Sequence, residues 1–340
     1  MSKTPDGIIL SCKGLNLNKN EKSFFSLIKP FGFILFSRNF KSLDQVKNLI
    51  RELKQVTKNP KVLIFIDQEG GKVQRFKNYE FTKFPPQGIF GKIYKNDKKK
   101  AKKLAYYNSR LLSYELKEIG VDANCSPVLD LYFDYGDKII GDRSFSSDPK
   151  TVTTLGKEFC KGHRDSGVMP VIKHFLGHGR AKVDSHKLLP TINTKKDILY
   201  KSDMLPFKEL SNEIFIMVAH IIYKDIDEIV APYSKKILRN ILIKELGFKG
   251  LIISDDLSMS ALSGSLSSRT KKCYNGGCDI VLYCSGFIDD MKKIYKNVKK
   301  IKKKKFEYFE NYLFETKVKS IDINKLKSKL NESRIIRTFY

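Results

Sequence analysis

Val62-Leu-Ile-Phe-Ile-Asp67-Gln-Glu-Gly-Gly71 runs through five apolar residues, reaches a carboxylate and turns at once through two glycines. A strand with one wet face would alternate apolar and polar residues. This one does not, so both of its faces are expected to be buried, as in a parallel sheet covered by helices. Seven more runs share that character: GIILSC (7–12), GFILFS (32–37), DANCSPVL (122–129), PVIKH (170–174), IFIMVAH (214–220), GLIISD (250–255) and DIVLYC (279–284). Helical spacing fills the stretches between them, at Leu43–Lys54, Lys99–Ile119, Pro149–Ser166, Met204–Asn212 and Lys235–Leu246. Gly120, Gly167 and Gly247 follow three of these, where a helix end wants the left-handed region.

Eight strand–helix alternations predict an α/β chain with a parallel sheet, and eight strands are the number that closes a (β/α)₈ TIM barrel. The competing open doubly wound sheet is disfavoured because no G-x-G-x-x-G follows the first strand. A single-domain barrel is expected over residues 1–290. A lysine-rich helical extension is expected over 291–340, packed on or beside the barrel.

The placement of polar residues is the functional signal. Asp67, Lys173, His174, His220 and Asp255 fall at the C-terminal ends of candidate strands, the end where barrel enzymes build their sites. Asp67 precedes Gln68-Glu69-Gly70-Gly71, with Arg75 close by as a rigid fork of donors; an Asp capping the next helix is the plain alternative. Lys173-His174-Phe-Leu-Gly177-His178-Gly179-Arg180-Ala-Lys-Val-Asp184-Ser185-His186 holds three of the five histidines. His174 and His178 have i,i+4 spacing, but the glycines argue for a loop, and no metal is expected. The i,i+2 spacing of Asp184 and His186 brings both side chains to one side of an extended segment. The carboxylate can then orient the ring and favour its protonated form. Asp255 closes the seventh strand, while Asp256, one residue on, suits a cap. Arg143, in Gly141-Asp142-Arg143-Ser144, can reach a ligand or pair with Asp130 or Asp142.

The formal net charge is +27, from 64 Lys+Arg against 37 Asp+Glu. Lysines concentrate in two runs, Lys95–Lys103 and Lys292–Lys305, and arginine is scarce beside them. That favours solvated surface charge over nucleic-acid recognition, for which arginine is better suited. None of the six cysteines forms a C-x-x-C pair, and buried free thiols are expected. The amino-terminal residues lack a signal-peptide core, and no apolar run nears the length of a membrane span, about 20 residues. A cytoplasmic, monomeric protein without cofactor, membrane or nucleic-acid partner is the expectation.

Taken in order, GFILFSRN (32–39), IDQEGGKVQRF (66–76), NCSPVLDL (124–131), IGDRSFSSDP (140–149), KHFLGHGRAKVDSHKLLP (173–190), MVAHIIY (217–223), SDDLSM (254–259) and GGCDIVLYC (276–284) resemble glycoside hydrolase family 3. Within it they look like the single-domain bacterial β-N-acetylhexosaminidases of peptidoglycan recycling. The resemblance implies a retaining hydrolase of terminal β-linked N-acetylglucosamine, acting on a small carbohydrate or muropeptide. By position, Asp255 is similar to the nucleophile and His186 to the acid/base with Asp184 as its partner. Asp67, Arg75, Arg143, Lys173 and His174 are similar to the residues that hold the sugar. Leu176, Lys72, Ser147 and Val218 depart from the family pattern without removing a catalytic group. A substrate-assisted hexosaminidase, a phosphorylase, a broader β-glycosidase and a basic nucleic-acid-binding protein are the rival readings.

Overall fold

A computed structural model describes residues 4–77 and 81–333 of the chain. Eight parallel strands close on themselves: β1 (Asp6–Leu10), β2 (Pro30–Leu35), β3 (Leu63–Ile66), β4 (Ala123–Asn124), β5 (Met169–Phe175), β6 (Phe215–Val218), β7 (Leu251–Asp256) and β8 (Ile280–Leu282). Each lies inside or overlaps one of the eight apolar runs. Their neighbours are sequential, and β8 pairs with β1 through Ile8 opposite Val281, so the sheet has no free edge. This is the expected (β/α)₈ barrel.

The runs are continuous in hydrophobicity because two separate cores need them. One core lies between the sheet and its helices, with Phe33, Ile64, Ile172 and Ile252 pointing outward. The other fills the barrel with Ile34, Phe65, Val171, Phe215, Met217 and Ile253. Successive residues of each strand therefore enter different cores, and both must be apolar.

Among the expected helices, Leu43–Val56, Lys98–Glu118 and Pro149–Asp165 match within about two residues. Gly120, Gly167 and Gly247 adopt φ of 92°, 77° and 73°, as a left-handed terminus requires. The Met204–Asn212 candidate is shorter, a single turn at Leu205–Glu209 after a separate helix at Lys196–Lys201. Lys236–Glu245 is wound wider than an α-helix. No helix among the described residues is long and apolar enough to cross a membrane. All six cysteines are free, and five of them are buried.

The C-terminal helices cover the barrel's N-terminal end and one flank. Lys303–Glu315 directs Phe309 into the floor, where its ring lies 5.2 Å from Phe31 and 5.7 Å from Phe215. Ile323–Glu332 buries Leu326 and Leu330, and Lys329 reaches the Tyr107 ring on helix Lys98–Glu118. The lysine face of that helix, Lys98 to Lys103, points to solvent except at Ala101. Since Phe309 closes the aromatic floor, Phe309→Ala is expected to lower unfolding free energy by about 3–5 kcal/mol. Urea denaturation measures this; wild-type stability in the variant would mean that the floor is sealed without that ring.

Candidate active site

A cavity of about 340 Å³ opens at the C-terminal end of the barrel. Its walls include Asp67, Glu69, Arg75, Arg143, Lys173, His174, His186 and Asp255, with Phe36, Ile139, Met217 and Leu282 as apolar surface. Seven of the eight candidate residues thus share one wall, and Asp184 joins through its bond to His186. A larger cleft of about 740 Å³ lies at the opposite end, framed by the lysines 29, 54, 58, 61 and 117 and by apolar groups. It lacks the convergence of buried acids, imidazoles and cations found at the smaller one, and barrel chemistry belongs to the C-terminal face.

Charge pairing organises the floor. Asp67 leaves β3, and Gln68–Gly70 pairs with Val73–Gln74 in a small ribbon that turns through Gly70 and Gly71. Both glycines have positive φ (104° and 58°), which a side chain at either position would resist. Asp67 and Glu69, two residues apart in this extended stretch, both reach the Lys173 ammonium, at 2.9 and 2.5 Å. Asp67 also receives Arg75 at 3.0 Å. Glu69 takes the Arg143 fork through Nε and Nη2, each at 2.8 Å. Burial alone would raise these carboxyls, but Lys173 and Arg75 hold Asp67 well below the usual range. Arg143 and Lys173 hold Glu69 at about 2. Burial opposes the Lys173 charge as well, yet the two acids push its pKa up.

The partner of Arg143 is therefore Glu69, and not Asp130 or Asp142. Glu69 stands inside the Ile66–Gly71 stretch, and its i,i+2 relation to Asp67 is the signal in the sequence for its role. Asp130, fully buried, is instead the anchor of the histidine segment. It accepts from His174 Nδ1 at 2.6 Å and from the His178 backbone N–H at 2.6 Å. Those imidazoles hold it below its ordinary value against the effect of burial.

Asp255 ends β7. Burial works to raise its carboxyl, but the His220 and His174 imidazoles and the Asp256 N–H, at 2.8 Å, hold it low. Asp256 is pushed the other way, raised by burial and by Asp255. It caps the following turn through Ser258 N–H at 3.0 Å and receives Cys284 N–H at 3.1 Å. The environment shifts the two neighbouring acids in opposite directions, favouring the carboxylate form at Asp255. His220 sits two residues beyond β6. It does not line the cavity; its ring is fully buried, both nitrogens lack a partner, and burial pushes it down to about 4.

Asp184 and His186 do meet, but not along an extended segment. The chain makes a turn in which Asp184 Oδ1 accepts from the His186 N–H at 2.9 Å and meets its ring Nδ1 at 2.8 Å. Nε2 is left free. The His186 side chain is 60% exposed at the rim, and that of Asp184 is 18% exposed. Of the departures from the family pattern, Leu176 and Val218 are core residues, Ser147 is exposed, and Lys72 donates to the Lys138 carbonyl. None lines the cavity.

The chain matches the glycosyl hydrolase family 3 N-terminal domain over residues 10–311. It is 39% identical over 285 residues to a beta-hexosaminidase of Hydrogenovibrio crunogenus, spanning 82% of this chain and 78% of that protein. A beta-hexosaminidase of Neisseria gonorrhoeae is 39% identical over 260 residues, spanning 75% and 71%. The crystal structure of NagZ from Neisseria gonorrhoeae in complex with N-trifluoroacetyl-D-glucosamine superposes with a TM-score of 0.85 at 30% identity. That superposition covers 99% of this chain and 98% of the other.

Glu69→Gln would leave buried Arg143 and Lys173 short of a counter-charge, and is expected to cost about 3–5 kcal/mol at neutral pH. A depressed acid contributes stability above its ordinary value, lost as pH falls from 4.5 toward about 2. The variant's stability should therefore change less across that window than the wild type's. Parallel slopes in pH-resolved denaturation would remove Glu69 from the account.

Proposed function

The chain belongs to glycosyl hydrolase family 3 and is a β-hexosaminidase, and from that premise we propose a retaining enzyme that releases terminal β-linked N-acetylglucosamine. The carrying observation is that Asp255 and His186, from β7 and the loop after β5, border one cavity together with the Asp67–Lys173–Arg143 cluster. A volume of about 340 Å³ lies at the low end for small-molecule sites and suits one sugar ring.

In this reading Asp67, Lys173, Arg143, Arg75 and His174 take the sugar hydroxyls and acetamido group. Asp67 retains free acceptor positions beside its two cations, and its depressed pKa keeps it an acceptor at working pH. Asp255, ionised for the same kind of reason, attacks the anomeric carbon as the bond to the leaving oxygen breaks. His186 Nε2 gives its proton to that oxygen, and Asp184 on Nδ1 stabilises the imidazolium before transfer. A covalent glycosyl-Asp255 results. Neutral His186 then takes a proton from water, whose oxygen attacks the same carbon and frees the Asp255 carboxylate, so the β configuration is restored. The rim exposure of His186 makes closure of its loop part of the cycle. The natural substrates under this proposal are N-acetylglucosamine joined to 1,6-anhydro-N-acetylmuramic acid, with or without peptide, in cytoplasmic peptidoglycan recycling.

Purified protein should hydrolyse an aryl β-N-acetylglucosaminide and leave the aryl β-glucoside largely untouched; cleavage of only the glucoside would overturn the sugar assignment. Asp255→Ala should lose turnover while keeping a native melt, and a slow fluorosugar should label the wild-type peptide that carries Asp255. Absence of that label in an active enzyme would hand the attack to the substrate's own acetamido group. His186→Ala should lower kcat/KM by about 10²–10⁴-fold on poor leaving groups. Activated aryl substrates should suffer far less, and azide should restore their kcat by replacing water.

A further inference from the structure

Between the two members of the Asp184–His186 pair stands Ser185, and it faces the opposite way. It is 2% exposed, whereas the His186 ring is largely in solvent. Its hydroxyl meets His178 Nε2 at 2.9 Å. His178 is itself buried at 3% exposure, with its ring 5.9 Å from that of His174 and nearly perpendicular to it. One carboxylate fixes both histidines: Asp130 Oδ2 on His174 Nδ1, and Asp130 Oδ1 on the backbone N–H groups of His178 and His174, at 2.6 and 3.2 Å.

The turn that bears His186 is internally closed. Asp184 Oδ1 engages the His186 N–H and ring, and the Asp184 carbonyl accepts from Lys187 and Leu188 N–H, each at 3.0 Å. Such a turn moves as one body, and its internal bonds do not say where it sits relative to the barrel. Only a bond leaving the turn can do that. The buried one runs from Ser185 to His178; the other, from Ser260 N–H to the His186 carbonyl, is long at 3.4 Å.

We propose that the Ser185–His178 hydrogen bond is a latch that positions the Asp184–His186 turn over the cavity, and that Asp130 couples it to the sugar-facing His174. Ser185, His178 and Asp130 are positioning residues. They touch neither the breaking bond nor the proton in transit. The inference rests on the reading of His186 as acid/base, and it explains why a serine separates the pair: one side chain must point inward so that its neighbours can be held at the rim. Ser185 and His178 also border the cavity; a lost ground-state sugar contact would weaken both kinds of substrate alike, whereas loss of the latch should fall on proton transfer to the leaving group.

The test compares kcat/KM for a dinitrophenyl β-N-acetylglucosaminide, which needs little acid assistance, with that for an N-acetylglucosaminyl disaccharide, which needs it. Ser185→Ala and His178→Phe should each lose at least about tenfold more on the disaccharide than on the aryl glycoside. In His178→Gln, whose carboxamide nitrogen reaches about as far as Nε2, most of that difference should vanish. Equal losses on the two substrates, or none, while His186→Ala keeps its leaving-group asymmetry, would refute the latch and leave the acid/base reading standing. If His186→Ala shows no asymmetry, the underlying assignment fails and the latch falls with it. Should His178→Phe not fold, Ser185→Ala, which removes one oxygen, decides the question alone.

Discussion

Two carboxylates on one strand exit, each held against two cations, are the constraint on which the site depends. Asp67 and Glu69 come from the turn after β3, Lys173 from inside β5, Arg75 from the Gly-Gly ribbon and Arg143 from the loop before helix Pro149–Asp165. Arg75 is partly exposed, but Glu69, Arg143 and Lys173 lie too deep to be tolerable alone. An unpaired buried ion is so costly that each side chain can sit only where its partners are. The network therefore fixes the relative positions of two strand ends and two loops. It also keeps Asp67 as a carboxylate with acceptor capacity to spare.

A second node, Asp130, performs the equivalent task for the histidine segment. Fully buried and without a cation of its own, it is satisfied by an imidazole and two backbone N–H groups. In return it sets the orientation of His174 and the path of the chain at His178. Arg180 and Ala181 still tie the loop to Asp203 and Asp137, but the Asp184–Leu188 turn beyond them has two hydrogen bonds to the rest of the described structure, through Ser185 and the His186 carbonyl. The structure is thus rigid where a sugar would be recognised and sparsely tethered where a proton would move, a division that loop-gated hydrolysis calls for.

Much of the barrel could be read from hydrophobic runs alone. GLIISD and VLIFID carry their own evidence, because a strand buried on both faces must be apolar at every position whatever its neighbours are. The three helix-ending glycines were equally legible, since the left-handed backbone is a local demand. Less so was the segment around Met204, where a proline and short amphipathic stretches break into two single-turn helices. Helix Lys303–Glu315 was foreseen only as an extension, because nothing within its own residues announces that Phe309 faces Phe31, nearly three hundred positions earlier.

For the site, the sequence by itself determined which groups come to the mouth: residues at or near the C-terminal end of a strand gather at one face of any barrel, so Asp67, Lys173, His174 and Asp255 converge by topology. Tertiary structure alone decided who pairs with whom. Arg143 takes Glu69 rather than Asp130 or Asp142, His220 is buried without lining the cavity, and Asp184 meets His186 through a capped turn rather than along a strand. Pairings of this kind follow from the closure of the sheet and from the demand that every buried charge be answered. For the pairs of Arg143 and Lys173 with Glu69 and Asp67 those conditions act between residues seventy or a hundred positions apart, where spacing along the chain carries no record of distance in space.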